Sequence, residues 1–556
     1  MGAPFGARGS GNRRKKRTSV RRDALAALFI LTACAPGQSS APRAPNSVRF
    51  DLAADPANLN PLFAHQDAAS VELQVARLAF EPFVDLDEHG QPRPALLSVI
   101  PTRENGGISS DGRTIVYRLR PTVKWQDGRP VTSADVLFTL HAILDRRNPV
   151  RSLEGYELID RAEVLGPHVV RIHLQRRWAP AALTLFSYGA SAQFVLPEHV
   201  LRAQEPLVNA PFNASPTVGD GPYKFVDWRR GEKLRYEANP LYWRGKPKTS
   251  ALDVRIIPDP STNLTLLGAD ELDWNLIAPL QQATLAAQRQ IAFRYVPTAT
   301  VAGVAINTAH PPLDDVRIRR ALAMSIDRDA ISRKITLGKY PVTDSAQPQF
   351  SWAYDSSVRL PGYNTAKADA LFDAAGWRRA AGGMRFQGGK PLEFTYVQFP
   401  ETATGVRAAT MIQSELRQRG VDVQIKSISN AQLFLPSARG GTLASGAFDL
   451  AYVPWTFGGD PDDSALLRCR GTQNYMRYCN PLVDRLERRA LESNDQMERK
   501  RLYSQIARQV ARDVPIIYLF NARYIYAYRR SLAGFYPNAF LPTWNASAWS
   551  LKVNDP

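Results

Sequence analysis

The chain has 556 residues, 44% of them hydrophobic, with 35 glycines, 41 prolines, three cysteines and a formal net charge of +18. Its length allows two or more hydrophobic cores. The charge does not point to a nucleic-acid partner. Residues 1–33 hold eight Lys or Arg against one Asp, and the remaining 62 basic and 51 acidic residues are interspersed, with no RNP-like, helix-turn-helix or zinc-finger spacing. Past that segment no apolar run reaches transmembrane length, and no repeat of solenoid period occurs.

The N-terminus has the order of an export signal. Arg13, Arg14, Lys15, Lys16, Arg17, Arg21 and Arg22 precede an apolar run from Ala24 to Leu31, then Thr32, Ala33 and Cys34. Leu31-Thr32-Ala33-Cys34 resembles the lipobox of bacterial lipoproteins, which implies cleavage before Cys34, acylation of its thiol and a signal peptide over 1–33. An ordinary signal peptide with a chance cysteine is the alternative, and the export route, general or twin-arginine, stays open. The Ser/Pro/Gly-rich stretch over 34–46 reads as a flexible tether.

Strands and helices then alternate. Ile115, Tyr117 and Leu119 alternate as a strand, Asp127-Gly128 forms a turn, and Thr132 or Ser133 caps the next helix. Asp127 and Asp135 are thereby turn and helix-start residues rather than catalytic ones. Val170, Ile172 and Leu174 describe a half-buried strand with His173 facing outward. Further on, Leu392, Phe394 and Tyr396 form a strand. A helix follows with Val406, Ala409, Ile412 and Leu416 on one face, stopped by Gly420, and Val421, Val423 and Ile425 form a second strand. This is a right-handed crossover unit. Helices are expected over 482–491 and 495–512, the latter opening with Asp495 and Glu498 at capping-box spacing.

Cys469 and Cys479 lie ten positions apart in a chain expected to leave the cytoplasm, so a disulfide is the natural reading, contributing about 2–3 kcal/mol. No His or further Cys stands beside them for a metal site. Enzyme motifs are missing: the seven histidines form no HExxH, no serine stands in a GxSxG elbow, and no Walker loop or dinucleotide glycine fingerprint occurs. The acid pairs Asp314-Asp315 and Asp462-Asp463 are adjacent and turn-like. No catalytic residue and no cofactor is expected, and a lipid-anchored hydrolase is the weaker alternative.

Several long blocks together resemble the family 5 solute-binding proteins of bacterial ATP-driven importers, the peptide and nickel class. They are PLFAHQDAASVELQVARLAFEPFVDLDEHGQPRPALL, VYRLRPTVKWQDGRPVTSADVLFTL, GDGPYKFVDWRRGEKLRYEANPLYWRGKPK and VAINTAHPPLDDVRIRRALAMSIDRDAI. The resemblance implies an α/β, two-lobed periplasmic-binding-protein fold with an enlarged first lobe and the ligand cleft between the lobes. The lobe I segment would cover 47–298 with an inserted subdomain at about 85–205, lobe II 299–515, and 516–556 would return to lobe I. The implied protein is a monomer on the outer face of the cytoplasmic membrane or in the periplasm, delivering a peptide-like solute to permease subunits of an ABC importer.

In peptide-binding members a Trp-Thr-X-Asp element supplies a carboxylate for the ligand's ammonium. The matching stretch here is VPWTFGGDPDDS, where Gly458 stands at the carboxylate's place. A buried ammonium needs a charge partner, and Gly458 supplies none for a free amino end, so Asp460 either shifts into the role or serves the turn. By the same carry-over Trp455, Phe457, Gly458, Asn307, Asn474, Tyr475 and the stretch from His65 to Ala69 are candidate cleft residues. An oligosaccharide or a metal chelate is the alternative cargo.

Overall fold

The computed structural model describes residues 46–64, 70–150, 152–188 and 193–552. Cys34, the export segment, most of the tether and His65 lie outside them. Ten strands form the central sheet: β1 (Ser47–Leu52), β2 (Tyr223–Arg229), β3 (Lys233–Ala238), β4 (Ala251–Ile256), β5 (Trp274–Ile277), β6 (Ile291–Ile306), β7 (Glu393–Gln398), β8 (Asp422–Ser427), β9 (Leu450–Thr456) and β10 (Ile516–Arg529). They lie in the order β8-β7-β9-β6-β10-β5-β1-β4-β3-β2.

The fold is two-lobed, with two large cores. One gathers buried side chains from residues 48 to 299, then Leu491, and again from 526 to 549. The other gathers them from 301 to 520. The long strands β6 and β10 are antiparallel partners that serve both lobes, pairing from Ile291↔Arg529 to Ala305↔Ile516. Between Pro297 and Val301 the register slips. The carbonyls that lose their ladder partners there must be satisfied otherwise. Asn521 does this, its amide donating to Thr298 O at 3.0 Å and Thr300 O at 2.8 Å.

Local expectations can be checked element by element. Strands β7 and β8 pair in parallel from Glu393↔Asp422 to Gln398↔Ser427, joined by helix α1 (Ala403–Gln418), so the crossover unit is present. Val406 is a correction: it stays 36% exposed, and Gly405 takes the inward place in that first turn, where an added Cβ would sit 2.8 Å from the Tyr452 ring. In the first lobe Thr132 caps the helix Ser133–Leu144, and Asp135 Oδ2 accepts from Thr132 N at 2.8 Å.

Three further helices frame the site: α2 (Ser464–Leu467), α3 (Pro481–Glu492) and α4 (Gln496–Asp513). At α4, Asp495 Oδ1 accepts from Met497 N and Glu498 N. Glu498 does not complete the box; it accepts from Ser493 Oγ at 2.6 Å instead, because Ser493 has already bonded the Asp495 N–H. Cys469 and Cys479 are paired in a disulfide. No described helix is long and apolar enough to cross a membrane.

Candidate functional site

Strand β9 leads out of the second lobe to the slip in β6, where the hydroxyls of Thr456 and Thr300 meet at 2.9 Å. Phe457 N then donates to Ala299 O at 3.1 Å, and the glycine pair carries the chain against the first lobe. Gly459 N donates to Tyr188 O at 3.2 Å, and a Cβ at Gly459 would sit 3.5 Å from Leu86 Cδ1. A second bond crosses the lobes, from Ala179 N to Leu491 O at 2.7 Å. Leu491, at the end of α3, is buried among first-lobe side chains.

Beside these two bonds lies a cavity of about 110 Å³ built by both lobes. The first lobe contributes Glu154, Trp178, Pro180 and Thr184, and the second contributes the loop after β9, the start of α2 and Gln473. A wider cleft of about 750 Å³ along the disulfide loop adjoins it and shares Glu154, Ala465 and Gln473. Trp178 is 6% exposed and lies over Gly155, whose φ is +85°. A Cβ there would fall 2.1 Å from the indole, so only glycine lets the ring form this wall.

Carboxyl groups dominate the lining. Asp460 is held by a bidentate fork from Arg499, at 2.7 Å and 2.5 Å, and Arg499 is itself packed over Trp352 and Tyr503. Asp460 Oδ1 also accepts from Asp462 N at 3.1 Å. Asp462 Oδ1 accepts from Ser464 N, and burial, then the Asp460 charge, raises the Asp462 carboxyl above its ordinary range. Asp463 accepts from Gln347 Nε2 at 2.9 Å and faces Glu487 on α3, which is fully buried. Burial raises both carboxyls, and the neighbouring Asp463 charge raises Glu487 further. On the first-lobe side, desolvation in the cleft, then Asp462, Glu157 and Asp460, push Glu154 to about 7.

Of the residues singled out in the sequence, Phe457, Gly458 and Asp460 line this cavity. The others lie away from it. Trp455 is buried in the second-lobe core, 3% exposed. Asn307 is 1% exposed and donates to Gly446 O and Phe448 O. Asn474 spans the disulfide loop by donating to Arg468 O and Tyr478 O. Tyr475 packs edge-on against Phe434. Sequence reasoning missed Glu154, Trp178 and the Arg499 fork. Among the described residues no group of three or more His, Cys, Asp or Glu side chains is arranged to hold a metal ion.

Comparison with known proteins points one way. The pattern described as "Bacterial extracellular solute-binding proteins, family 5 Middle" matches residues 93–477. The di/tripeptide-binding protein 2 of Pseudomonas aeruginosa (strain UCBPP-PA14) is 28% identical over 472 residues, 80% of this chain and 85% of that one. The oligopeptide-binding protein AppA from Bacillus subtilis, solved in complex with a nonapeptide, superposes with a TM-score of 0.74 at 21% identity, covering 91% of this chain and 99% of that one. NikA from Brucella suis, in complex with Fe(III)-EDTA, gives 0.79 at 21% identity, covering 91% and 100%.

Proposed function

Because the chain belongs to the family 5 bacterial extracellular solute-binding proteins, we propose that it captures a peptide-like solute between its lobes and delivers it to the permease subunits of an ABC importer. The observation that carries this reading is the cavity to which both lobes contribute side chains, beside two backbone bonds that join them. A ligand touching both walls stabilises the closed form through contacts that an open cleft lacks, which is the condition for closure to report occupancy. The slip in β6, bridged by Asn521, is the place where the two crossing strands can flex. The protein works as a monomeric receptor without catalytic groups, exported and tethered through acylated Cys34 to the outer face of the cytoplasmic membrane. Tethering raises the effective concentration at which it meets the permease.

A thermal-shift screen tests this reading, run on the chain from residue 46 onward against short peptides, N-acetylated peptides, oligosaccharides and nickel–histidine chelates. A solute at 100 times its dissociation constant adds about 2.7 kcal/mol, a readily visible rise in melting temperature. Stabilisation by peptides is the expected result. Stabilisation by oligosaccharides or chelates alone contradicts the peptide-like assignment.

A further inference from the structure

Two apolar side chains of the second lobe pack in the first. On α3, Val483, Leu486 and Ala490 join the second-lobe core, whereas Leu491, 5% exposed, joins the first-lobe core. The segment from Ala346 to Ala353 repeats the pattern: Ala346, Trp352 and Ala353 pack on the second-lobe core, and Phe350 among them packs on the first. A side chain so placed is out of water only while the lobes are together, so its burial opposes opening whether or not a solute is present.

Leu491 is one point of a larger contact. Its carbonyl accepts from Ala179 N at 2.7 Å, and the turn between α3 and α4 then runs against the first lobe. In that turn Asn494 stands so close to Gly112 that a Cβ on the glycine would fall 2.8 Å from Asn494 Nδ2, with Arg177 and Arg103 next to them. Asp495 lies within electrostatic reach of Glu104. Residues 491–495 thus meet two separate first-lobe segments, one around 103–112 and one around 177–179.

Phe350 seats in a first-lobe turn. A Cβ at Gly90 would fall 2.5 Å from its ring, and Phe540 meets that ring edge-on with centroids 6.2 Å apart. Its segment is fastened elsewhere: Gln347 Nε2 donates to Pro461 O at 2.8 Å, and Gln349 N donates to Asn521 Oδ1 at 3.2 Å. Neither Leu491 nor Phe350 lines the cavity of about 110 Å³.

We propose that the α3–α4 turn, through Leu491, and Phe350 form a two-point clasp that holds the lobes together without a solute, so that the resting protein spends much of its time closed. A solute then completes a closure that the chain has already begun, and its apparent affinity rises with the fraction already closed. Leu491 is a positioning residue, acting on the solute through the lobes rather than by touching it. This rests on the reading of the protein as a receptor that closes over its solute.

The test is amide hydrogen exchange on the solute-free protein. Ala179 and Gly459, whose N–H groups bond across the cleft, should exchange at least about tenfold more slowly than in an unfolded chain. Leu491→Ala, and separately Phe350→Ala, should speed both amides together by about tenfold, while amides within β4 and β7 and the melting temperature hold. Leu491→Met should restore the slow rates. Unprotected rates at Ala179 and Gly459 without solute overturn the clasp and leave capture by closure intact, since a ligand can still protect both. Faster exchange at Ala179 alone marks fraying of the α3–α4 turn and overturns it. So does acceleration that reaches β4 and β7 in both variants, because the side chains then stabilise the fold rather than the closure, and so do unchanged rates in both. If the clasp behaves as expected but no peptide, sugar or chelate slows these amides further, the capture reading fails and the clasp stands.

Discussion

Replacing Arg499 by leucine is expected to destabilise the protein by about 3–5 kcal/mol, because it strands a carboxylate that the fold does not release. The Asp460 side chain is 2% exposed and takes both of its strong hydrogen bonds from this one guanidinium. The substitution also removes a cation lying 5.3 Å above the Trp352 ring. Asp460 shapes the loop that carries Gly458 and Gly459 past the first lobe, so solute binding should weaken along with folding. Urea denaturation of Arg499→Leu and of the double variant Asp460→Asn/Arg499→Leu separates the causes. The double variant should recover much of the loss, since no buried charge remains unpaired. A single-variant loss below about 1 kcal/mol would mean that water reaches Asp460 and the fork is dispensable.

The second large effect is on pH. Burial lifts Asp463 from 3.8 to about 6 and, in the first lobe, lifts Asp51 from 3.8 to about 7 against the opposing hydrogen bond from Asn275. For both groups the folded state holds the proton more tightly than the unfolded chain. Their contribution is therefore fully present below pH 4 and is lost as the pH rises through about 6 to 7. Glu154 moves in the same direction but keeps water contact, so its share is smaller. Carboxylates lowered by surface partners, such as Asp87 beside Arg93, titrate below pH 4 and do not mask the change. The unliganded protein should accordingly melt higher at pH 5 than at pH 8, and Asp463→Asn should flatten the profile. Stability that rises steadily from pH 5 to 8, or an unchanged slope in Asp463→Asn, would count against a protonated pair.

The residues differ in how much of this was legible beforehand. Alternation and capping located β7, α1 and β8, the helix after Thr132, and α4, because those signals are local and each element obeys its own period. The long ordered blocks carried the two-lobed fold. Of the loop after β9 that the sequence singles out, Phe457, Gly458 and Asp460 line the cavity. Trp455 is still within the ladder, paired with Val301, so its ring packs in the second-lobe core, whereas Phe457 lies just past the strand's last residue, Thr456, and reaches the cavity. Asn307 follows the last residue of β6, seven positions past Thr300 along the extended strand, and its amide is taken up by the Gly446 and Phe448 carbonyls.

Glu154 had no sequence signal at all. It is one acid in a loop of the first lobe, about three hundred positions from Asp462, and only the meeting of the lobes gives it meaning. In the sequence Asp462 and Asp463 are adjacent and turn-like. Their carboxylates take different partners, Ser464 and Gln347, but their burial and the neighbour Glu487 depend on α3 packing behind them.

Amide hydrogen exchange at Ala179 and Gly459 tests the central claim, capture by closure between the lobes, most directly. Their N–H groups bond Leu491 O and Tyr188 O across the cleft, so each is protected only while the lobes are together. With a saturating peptide ligand, exchange at both amides should slow together, while amides within β4 and β7, inside single lobes, keep their rates. Slowing confined to one lobe, or no change at Ala179 and Gly459 with ligand bound, would contradict binding between the lobes.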